Sequence, residues 1–588
     1  MSDKKQLPTW DLEAIYQTTE AWEADFAKLK GLAEAFFAFK GKLAKSAKTL
    51  CDAYKAMDAF SRLSEKVYVY ASMKSDENTL ISENRARVGN VESLYAELAP
   101  YFAWFEPELL AIPTKTMDSY LKSETLSFYK RSIENDLRCR EHILSESEEQ
   151  LLGMYSEVLG ASENTFSILN DGDLTFGKLK NGAGEMMELT HGTYHLFMED
   201  ANRDVRKAAF RKLYSTYKKF RNTLATTLNF AVKNHAVSAN VRHFSSALNA
   251  ALFGDKVPES VYRQLIETVH SRVPHLKRYL EVRRKMLKLD KLDMYDVYNP
   301  LLPSCRCHYT WEEAVKTVKA ALKPMGKEYC DVLDLAIKQR WIDVPERKGK
   351  RSGGYSSGCY DTYPYILLNF QGTLDDVFTL AHELGHSLHS YYSRKFQPFH
   401  YHDYKILVAE VASTTNEILL AEYLLAKTKD KDIRTYLLCH LADEIRLTIY
   451  RQTMFAEFEL KIHEHAEQHE SLTADLLEKE YYEMNEFYHG LKADKLIGLE
   501  WARIPHMYYN FYVYKYATGM SAAIQLANRI LKEGKPALED YFGFLKAGGS
   551  RDALDIMRSA GVDLEKPEPV AEALDYLGTI IDRLEKLC

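Results

Sequence analysis

Apolar residues recur at three- and four-residue steps over much of the first 160 positions, the spacing of a helix with one buried face. Leu50 to Tyr70 and Thr125 to Gly160 carry the pattern. From Thr19 to about Tyr155 the chain is rich in Ala, Leu, Lys and Glu and poor in Pro and Gly, as long helices require. No fixed-period repeat is present, so a solenoid is not expected. The pattern changes near Asn170. Asp171-Gly172-Asp173 reads as a turn, Leu174 to Leu179 as a strand, Asn181-Gly182-Ala183-Gly184 as a second turn, and Met186 to Leu189 as the returning strand. Thr193 is the expected cap of a helix running through Phe197 toward Tyr217. These breaks predict a boundary near residue 195, between a helical domain over 1–195 that ends in a hairpin and a second domain over 196–588.

A second interruption covers Val344 to Gly358. It holds a basic stretch, Arg347 to Arg351, and then Ser352-Gly353-Gly354-Tyr355-Ser356-Ser357-Gly358, read as a solvated loop. Tyr363 to Phe370 follows as a strand whose Pro364 suits a sheet edge. The expected fold class is mainly α with a small β-sheet.

Composition acts here by exclusion. The 588 residues carry 77 basic and 84 acidic side chains, a formal net charge of −7. With no polybasic block, this gives no support to nucleic-acid binding. Hydrophobic residues at 46% and charged residues at 27% are an ordinary globular balance, long enough to bury a large core. There is no apolar run of membrane-spanning length, and no apolar segment follows the basic pair Lys4-Lys5, so neither a membrane helix nor a secretory signal is expected. Eight cysteines without framework spacing suit a reduced, cytoplasmic compartment. Cys305-Arg306-Cys307-His308 lacks the usual spacing of zinc ligand pairs and reads as a polar loop after Pro303. Oligomeric state is not specified by any of these features.

The chemistry lies further on. Thr373-Leu374-Asp375-Asp376 opens a helix with a capping-box-like pattern. The helix continues as Val377-Phe378-Thr379-Leu380-Ala381-His382-Glu383-Leu384-Gly385-His386. A four-residue step turns about 400°, so His382 and His386 share a face about 6 Å apart along the axis. Both imidazoles can bind one tetrahedral zinc ion. Glu383, turned about 100° from His382, is placed as the general base toward metal-bound water. Burying this trio in an apolar helix without a function would be costly. A third ligand is needed. His389 is close in sequence but about 10 Å along the axis from His382, and reads as a residue behind the ligands or as an alternative ligand. In Ile406 to Leu420, Glu410, Ser413, Thr414 and Glu417 form one polar stripe on an apolar helix. Glu410 is the expected third ligand, since His₂Glu is an established catalytic zinc set. Glu417 is expected to orient a ligand histidine. His463-Glu464-His465-Ala466-Glu467-Gln468-His469 holds another four-step pair, His465 and His469, read as a solvated helix face.

At HELGH, EVASTTNE and the preceding LLNFQGT the sequence resembles peptidase family M3, the thimet-oligopeptidase-like zinc peptidases. Ile504 to Tyr509 and Phe511 to Gly519 add to the match. The resemblance spans nearly the whole chain. It implies a two-lobed helical molecule of the zincin type with a deep substrate channel, one Zn²⁺ per chain and short peptides as substrates. Carried over by motif, His382 and His386 bind zinc, Glu383 is the base, and the downstream family glutamate falls on Glu410. The family uses a histidine and tyrosines on a late loop to stabilise the tetrahedral intermediate. His506 matches that histidine. The segment departs from the thimet branch, being shorter and lacking its glycines, which leaves the tyrosine open among Tyr514, the first choice, and Tyr508 and Tyr512 behind it. The segment could equally be a packed aromatic stretch.

The expected function is zinc-dependent hydrolysis of internal bonds in short unstructured peptides. Gly353, Gly354 or the strand near Tyr363 to Phe370 would pair with the peptide backbone. One alternative is the same chemistry with a different cut position, as a peptidyl-dipeptidase or carboxypeptidase. The other is a non-catalytic peptide-binding helical protein with structural zinc.

Overall fold

The computed structural model describes residues 7–302 and 307–587. Pro303, Cys305 and Arg306 of the tight cysteine cluster lie outside the described residues. The chain is mainly helical, as its periodicity predicts. Strands among the described residues are confined to two small sheets. One is an antiparallel hairpin of β1 (Lys178–Lys180) and β2 (Met186–Glu188). The other contains β3 (Ile342–Pro345), β4 (Tyr355–Ser357) and β5 (Tyr365–Phe370) in the order β3-β5-β4.

Local chemistry explains where the elements differ from expectation. Asp171-Gly172-Asp173 ends a π-helical turn over Ile168–Asp173 rather than forming a free turn. The cap of the following helix is Thr190, and Thr193 closes its capping box. That helix stops at Glu199. Asp200 accepts the Asn202 N–H at 2.8 Å and Asn202 accepts the Asp204 N–H at 3.0 Å, local bonds that compete with a continuous helical ladder. A new helix then runs from Arg203 to Val241. Cys51, Cys139, Cys330, Cys359 and Cys439 are free thiols.

Two compact units form, and neither is contiguous in sequence. One comprises Met1–Ile143, Cys307–Lys405 and Leu538–Arg551; the other comprises Leu144–Arg306, Ile406–Ala537 and Asp552–Cys588. A single boundary near residue 195 does not describe this division. Periodicity reports local structure, whereas the return of the chain to a unit is set by long-range packing.

In the first unit, helices Thr19–Phe37, Ala47–Glu77 and Ser82–Leu98 pack together over an aromatic core. Phe36 lies 5.0 Å from Phe102 and 5.1 Å from Trp104. His400 bonds Asp58 at 2.8 Å through Nδ1 and Ser132 at 2.6 Å through Nε2, joining three segments of this unit. The basic stretch turns inward, contrary to the solvated reading. Arg347 donates to both carboxylate oxygens of buried Asp343, at 2.8 and 2.6 Å. Lys350 Nζ donates to the carbonyls of Asp343 and Pro345, at 3.0 and 2.8 Å, and to that of Leu368. One ammonium thus satisfies three buried carbonyls beside the sheet. Burial holds Lys350 down to about 8 despite Asp343. β5 is central in its sheet, so Pro364 precedes the strand instead of marking an edge.

The second unit is built on helices Arg203–Val241, Glu259–Met286, Ala409–Lys427, Arg451–Glu467, Tyr514–Glu533 and Glu568–Glu585. Helix Ala409–Lys427 packs on Tyr514–Glu533. No helix among the described residues is long and apolar enough to cross a membrane.

The Asp343 staple yields a stability prediction. Asp343→Ala leaves the fully buried Lys350 ammonium without its carboxylate, and should cost about 3–5 kcal/mol. Urea unfolding of the variant checks this. A midpoint equal to that of the parent would show that the three carbonyls alone hold the ammonium.

Candidate metal centre

Helix Leu374–Phe396 begins at the Thr373 cap. Thr373 Oγ1 accepts the Asp376 N–H at 3.1 Å, and the Asp376 carboxylate accepts the Thr373 N–H at 2.8 Å. This fixes the register from the first turn, two turns before His382. The Nε2 atoms of His382 and His386 converge to 3.1 Å, with rings 4.8 Å apart and nearly perpendicular. Two ligands each ~2.0 Å from a tetrahedral zinc would lie about 3.3 Å apart, so the spacing suits a shared cation. One ligand atom from each of His382, His386 and Glu410 lies within 4.8 Å of the others. It is the one such group of histidine, cysteine or carboxylate side chains among the described residues. Two imidazoles and one carboxylate match the catalytic zinc set, which keeps a fourth position open.

Glu410 sits in the first turn of helix Ala409–Lys427, where the helix dipole favours a negative charge. Ser413 Oγ donates to its backbone carbonyl at 2.9 Å and approaches its carboxylate at 3.4 Å. Glu417 lies seven residues further along the same helix, about 10 Å on. Glu383 is 7% exposed. A Cβ added at Gly354 would come 3.2 Å from Thr379 Cγ2 and 3.7 Å from Glu383 Oε1, so the glycine eases packing against Thr379 and stands in contact range of the carboxylate. Gly353 precedes it at φ +86°, a conformation few other residues adopt. Its carbonyl accepts from Asn369 at 2.8 Å. Ser356 and Ser387 bond at 2.8 Å and hold β4 to the helix.

His389 is outside the ligand group. Its ring is buried and stacked on Tyr404 at 3.7 Å, with Phe544 at 4.6 Å. Burial, with a smaller contribution from His386, holds it down to about 3, so it packs as a neutral ring. The His463–His469 segment does not gather its histidines either. His463 is buried and meets His235 at 3.1 Å, His465 bonds Glu470, and His469 lies beyond the helix end with φ 65°.

The late segment separates its tyrosines. Tyr514 is fully buried against Tyr262 at 5.3 Å, and among the described residues its hydroxyl has no hydrogen-bond partner. Tyr508 is buried too, stacked on Phe166 at 4.5 Å and bonded to Thr227 at 2.9 Å. The half-buried His506 instead lies beside Tyr509, Tyr512 and Tyr516, at 5.3, 6.4 and 6.2 Å. Burial lowers the His506 pKa. Tyr516 is pushed up to about 12, first by burial, then by its hydrogen bond with Tyr512, with Glu410 contributing. Tyr509 and Tyr516 were not singled out from sequence. The four-residue step from Tyr512 to Tyr516 was the available signal.

Between the two tyrosine groups, Asn510 and Phe511 both adopt positive φ, 49° and 59°, a strained pair for residues other than glycine. The Phe511 N–H donates to Glu459 Oε1, and the Phe511 ring lies 4.4 Å from His463. Glu459 is buried in helix Arg451–Glu467, and burial pushes it up to about 8 despite the Phe511 bond. It is therefore a neutral acid below that pH, an anchor for the turn that sequence reasoning missed.

Comparison with known proteins gives a consistent result. Residues 196–576 match the model of peptidase family M3, and residues 108–176 match a model described as oligopeptidase F. The chain is 46% identical to oligopeptidase PepF of Bacillus subtilis, over 100% of this chain and 88% of that protein. It resembles a crystal structure of a peptidase from Chlamydophila abortus, with 34% identity and a TM-score of 0.93 over 99% of this chain and 98% of that one. For oligoendopeptidase-F from Enterococcus faecium the values are 36% and 0.75, over 97% and 99%.

Glu459 makes the anchor of the late turn measurable. The folded chain keeps a proton up to about pH 8 that the unfolded chain releases near 4.5. Its contribution is complete below the lower value and is lost as pH rises toward the upper one. Glu459→Gln cannot titrate and should show a flatter decline of stability between those limits. Urea unfolding across that range tests it, and an unchanged slope would rule out Glu459 as the titrating group.

Proposed function

The chain belongs to peptidase family M3 and is a metalloendopeptidase, and we propose that it is a cytoplasmic zinc enzyme hydrolysing internal bonds of short, unstructured peptides. The observation that carries this reading is the convergence of His382, His386 and Glu410 next to Glu383 on the ligand helix. The names of the relatives, oligopeptidase and oligoendopeptidase F, support short peptides as substrates.

His382, His386 and Glu410 would hold a zinc ion, which would supply a Lewis acid and lower the pKa of the attacking water toward neutrality. Glu383 takes the proton as water attacks the peptide carbonyl and hands it to the departing amine. Low exposure keeps this carboxyl out of bulk water, and the adjacent Gly354 leaves room for a peptide backbone to approach it. His506 donates a hydrogen bond to the carbonyl oxygen as charge develops there. The family pattern gave the tyrosine role to Tyr514. Its burial favours Tyr512 or Tyr516 instead, since a donor must reach the substrate. Of the two segments considered for backbone pairing, β5 already has a strand on each side. β4, entered through Gly353 and Gly354, is an edge strand to which an extended peptide would add.

Turnover of an internally quenched, end-blocked peptide should stop on chelation and return with added zinc; cleavage indifferent to chelation would overturn the metal reading. Glu383→Gln should keep zinc and lose about 10²–10⁴-fold in kcat, and near-parental turnover would remove Glu383 from the reaction. Zinc content should fall in Glu410→Ala and persist in His389→Ala, and the reverse pattern would move the third ligand to His389. Tyr512→Phe or Tyr516→Phe should lower kcat by about 10²–10³-fold, the range for loss of one oxyanion donor. Parental kcat in both, and a loss in Tyr514→Phe, would restore the family assignment.

A further inference from the structure

The second unit contains a cavity of about 280 Å³ with arginine on several sides. Arg446, Arg451 and Arg503 line it, together with Asp443, Glu500 and the rings of Tyr194, Tyr214 and Tyr298. None of these residues has a part in the proposed reaction.

The carboxylates inside are already committed. Glu500 accepts from Arg451 at 2.7 and 3.3 Å, from Tyr481 at 2.7 Å and from Tyr214 at 3.4 Å, and Arg451, then Arg503 and Tyr481, hold it down to about 2 against the effect of burial. Asp443 accepts from Arg446 at 2.9 Å and from the buried Arg283 at 3.1 Å. Three guanidiniums, those of Arg451, Arg446 and Arg283, therefore take up the two carboxylates. The odd one is Arg503. Among the described residues no carboxylate comes within ion-pair distance of it. Its contacts are a long bond to the Tyr214 hydroxyl at 3.5 Å and the Tyr194 ring face at 5.0 Å. Arginine cannot neutralise itself by losing its proton. Glu500 acts on it through space, but that carboxylate is already bonded by Arg451, and guanidinium donors in a low-dielectric site without a bonded anionic partner are costly. The remaining carboxylate on the lining, Glu199, is exposed at the rim, as is His195.

The backbone adds an independent sign. Arg446–Tyr450 is a π-helical turn, in which the Arg451 N–H bonds the Arg446 carbonyl five residues back. In an α-helix, residues five apart are turned about 140° from each other. The wider turn brings both guanidiniums toward one side, and such turns occur frequently at functional sites.

We propose that this cavity binds a small oxyanion, either a carboxylate or a phosphate group, held by Arg503 and Arg446 as the directly bonded anion that Arg503 lacks. Its volume lies just below the ~300 Å³ lower end for small-molecule sites, so the ligand is no larger than a small organic acid or inorganic phosphate. Planar guanidiniums match either group through paired N–H donors.

Calorimetric titration tests this on the full-length protein, with inorganic phosphate, acetate and chloride as separate probes at constant ionic strength. Saturable binding of phosphate or acetate at one site per chain is expected, and the stronger of the two identifies the source. Arg503→Met should weaken that binding at least ~10-fold. The proposal is overturned if neither oxyanion binds the parent below ~10 mM, if chloride alone binds, or if Arg503→Met binds as the parent does. A thermal melt checks that the variant is folded. Should it not fold, Arg503→Lys keeps the charge without the paired donors and is expected to weaken binding by a smaller factor; unchanged affinity in it also overturns the proposal.

Discussion

Two imidazole nitrogens held 3.1 Å apart on one helix require something between them. Their lone pairs repel unless a proton or a cation is shared, and a divalent cation can also take the carboxylate of Glu410 from the same group as a ligand. This constraint governs the neighbourhood. The helix must keep regular four-residue spacing, which the Thr373–Asp376 capping box secures from its first turn. The ~100° step from His382 turns the Glu383 side chain away from the two ligand nitrogens.

The same low-dielectric interior is used differently elsewhere. Glu459 is buried with one backbone donor and remains protonated to about pH 8. It can therefore hold the strained Asn510-Phe511 turn at little electrostatic cost. Glu500, equally buried, is surrounded by arginine and tyrosine and stays ionised. The difference lies in the partners, not in the depth. His389, His463 and His235 follow the first pattern, held neutral by burial, and their packing explains why histidine-rich stretches outside the ligand pair form no metal group among the described residues.

Much of the fold was legible because helix and hairpin signals are local. The Thr373 cap, the helix through His386, the β1–β2 hairpin and the long amino-terminal helices follow from spacing and capping alone. The errors are local competitions or long-range packing. Asp200 and Asn202 broke a helix by bonding nearby N–H groups. The basic stretch at Arg347 read as a solvated loop because nothing near it in sequence announces Asp343 as a buried partner. The two spatial units are not visible in sequence because each gathers distant segments.

The sequence by itself determined the chemistry of the ligand helix, since two histidines and a glutamate at fixed helical steps have one geometry wherever that helix lies. It also placed Glu410 on an apolar helix where a carboxylate needs a cation. Tertiary structure decided which residues of the late segment remain accessible. Tyr508, Tyr512, Tyr514 and Tyr516 are equivalent by residue type, yet packing against Phe166 and Tyr262 buries two of them and leaves the other two beside His506. It also decided the arginine cavity, because the balance of charge around a buried space depends on which carboxylates the fold brings near. No spacing along the chain records that.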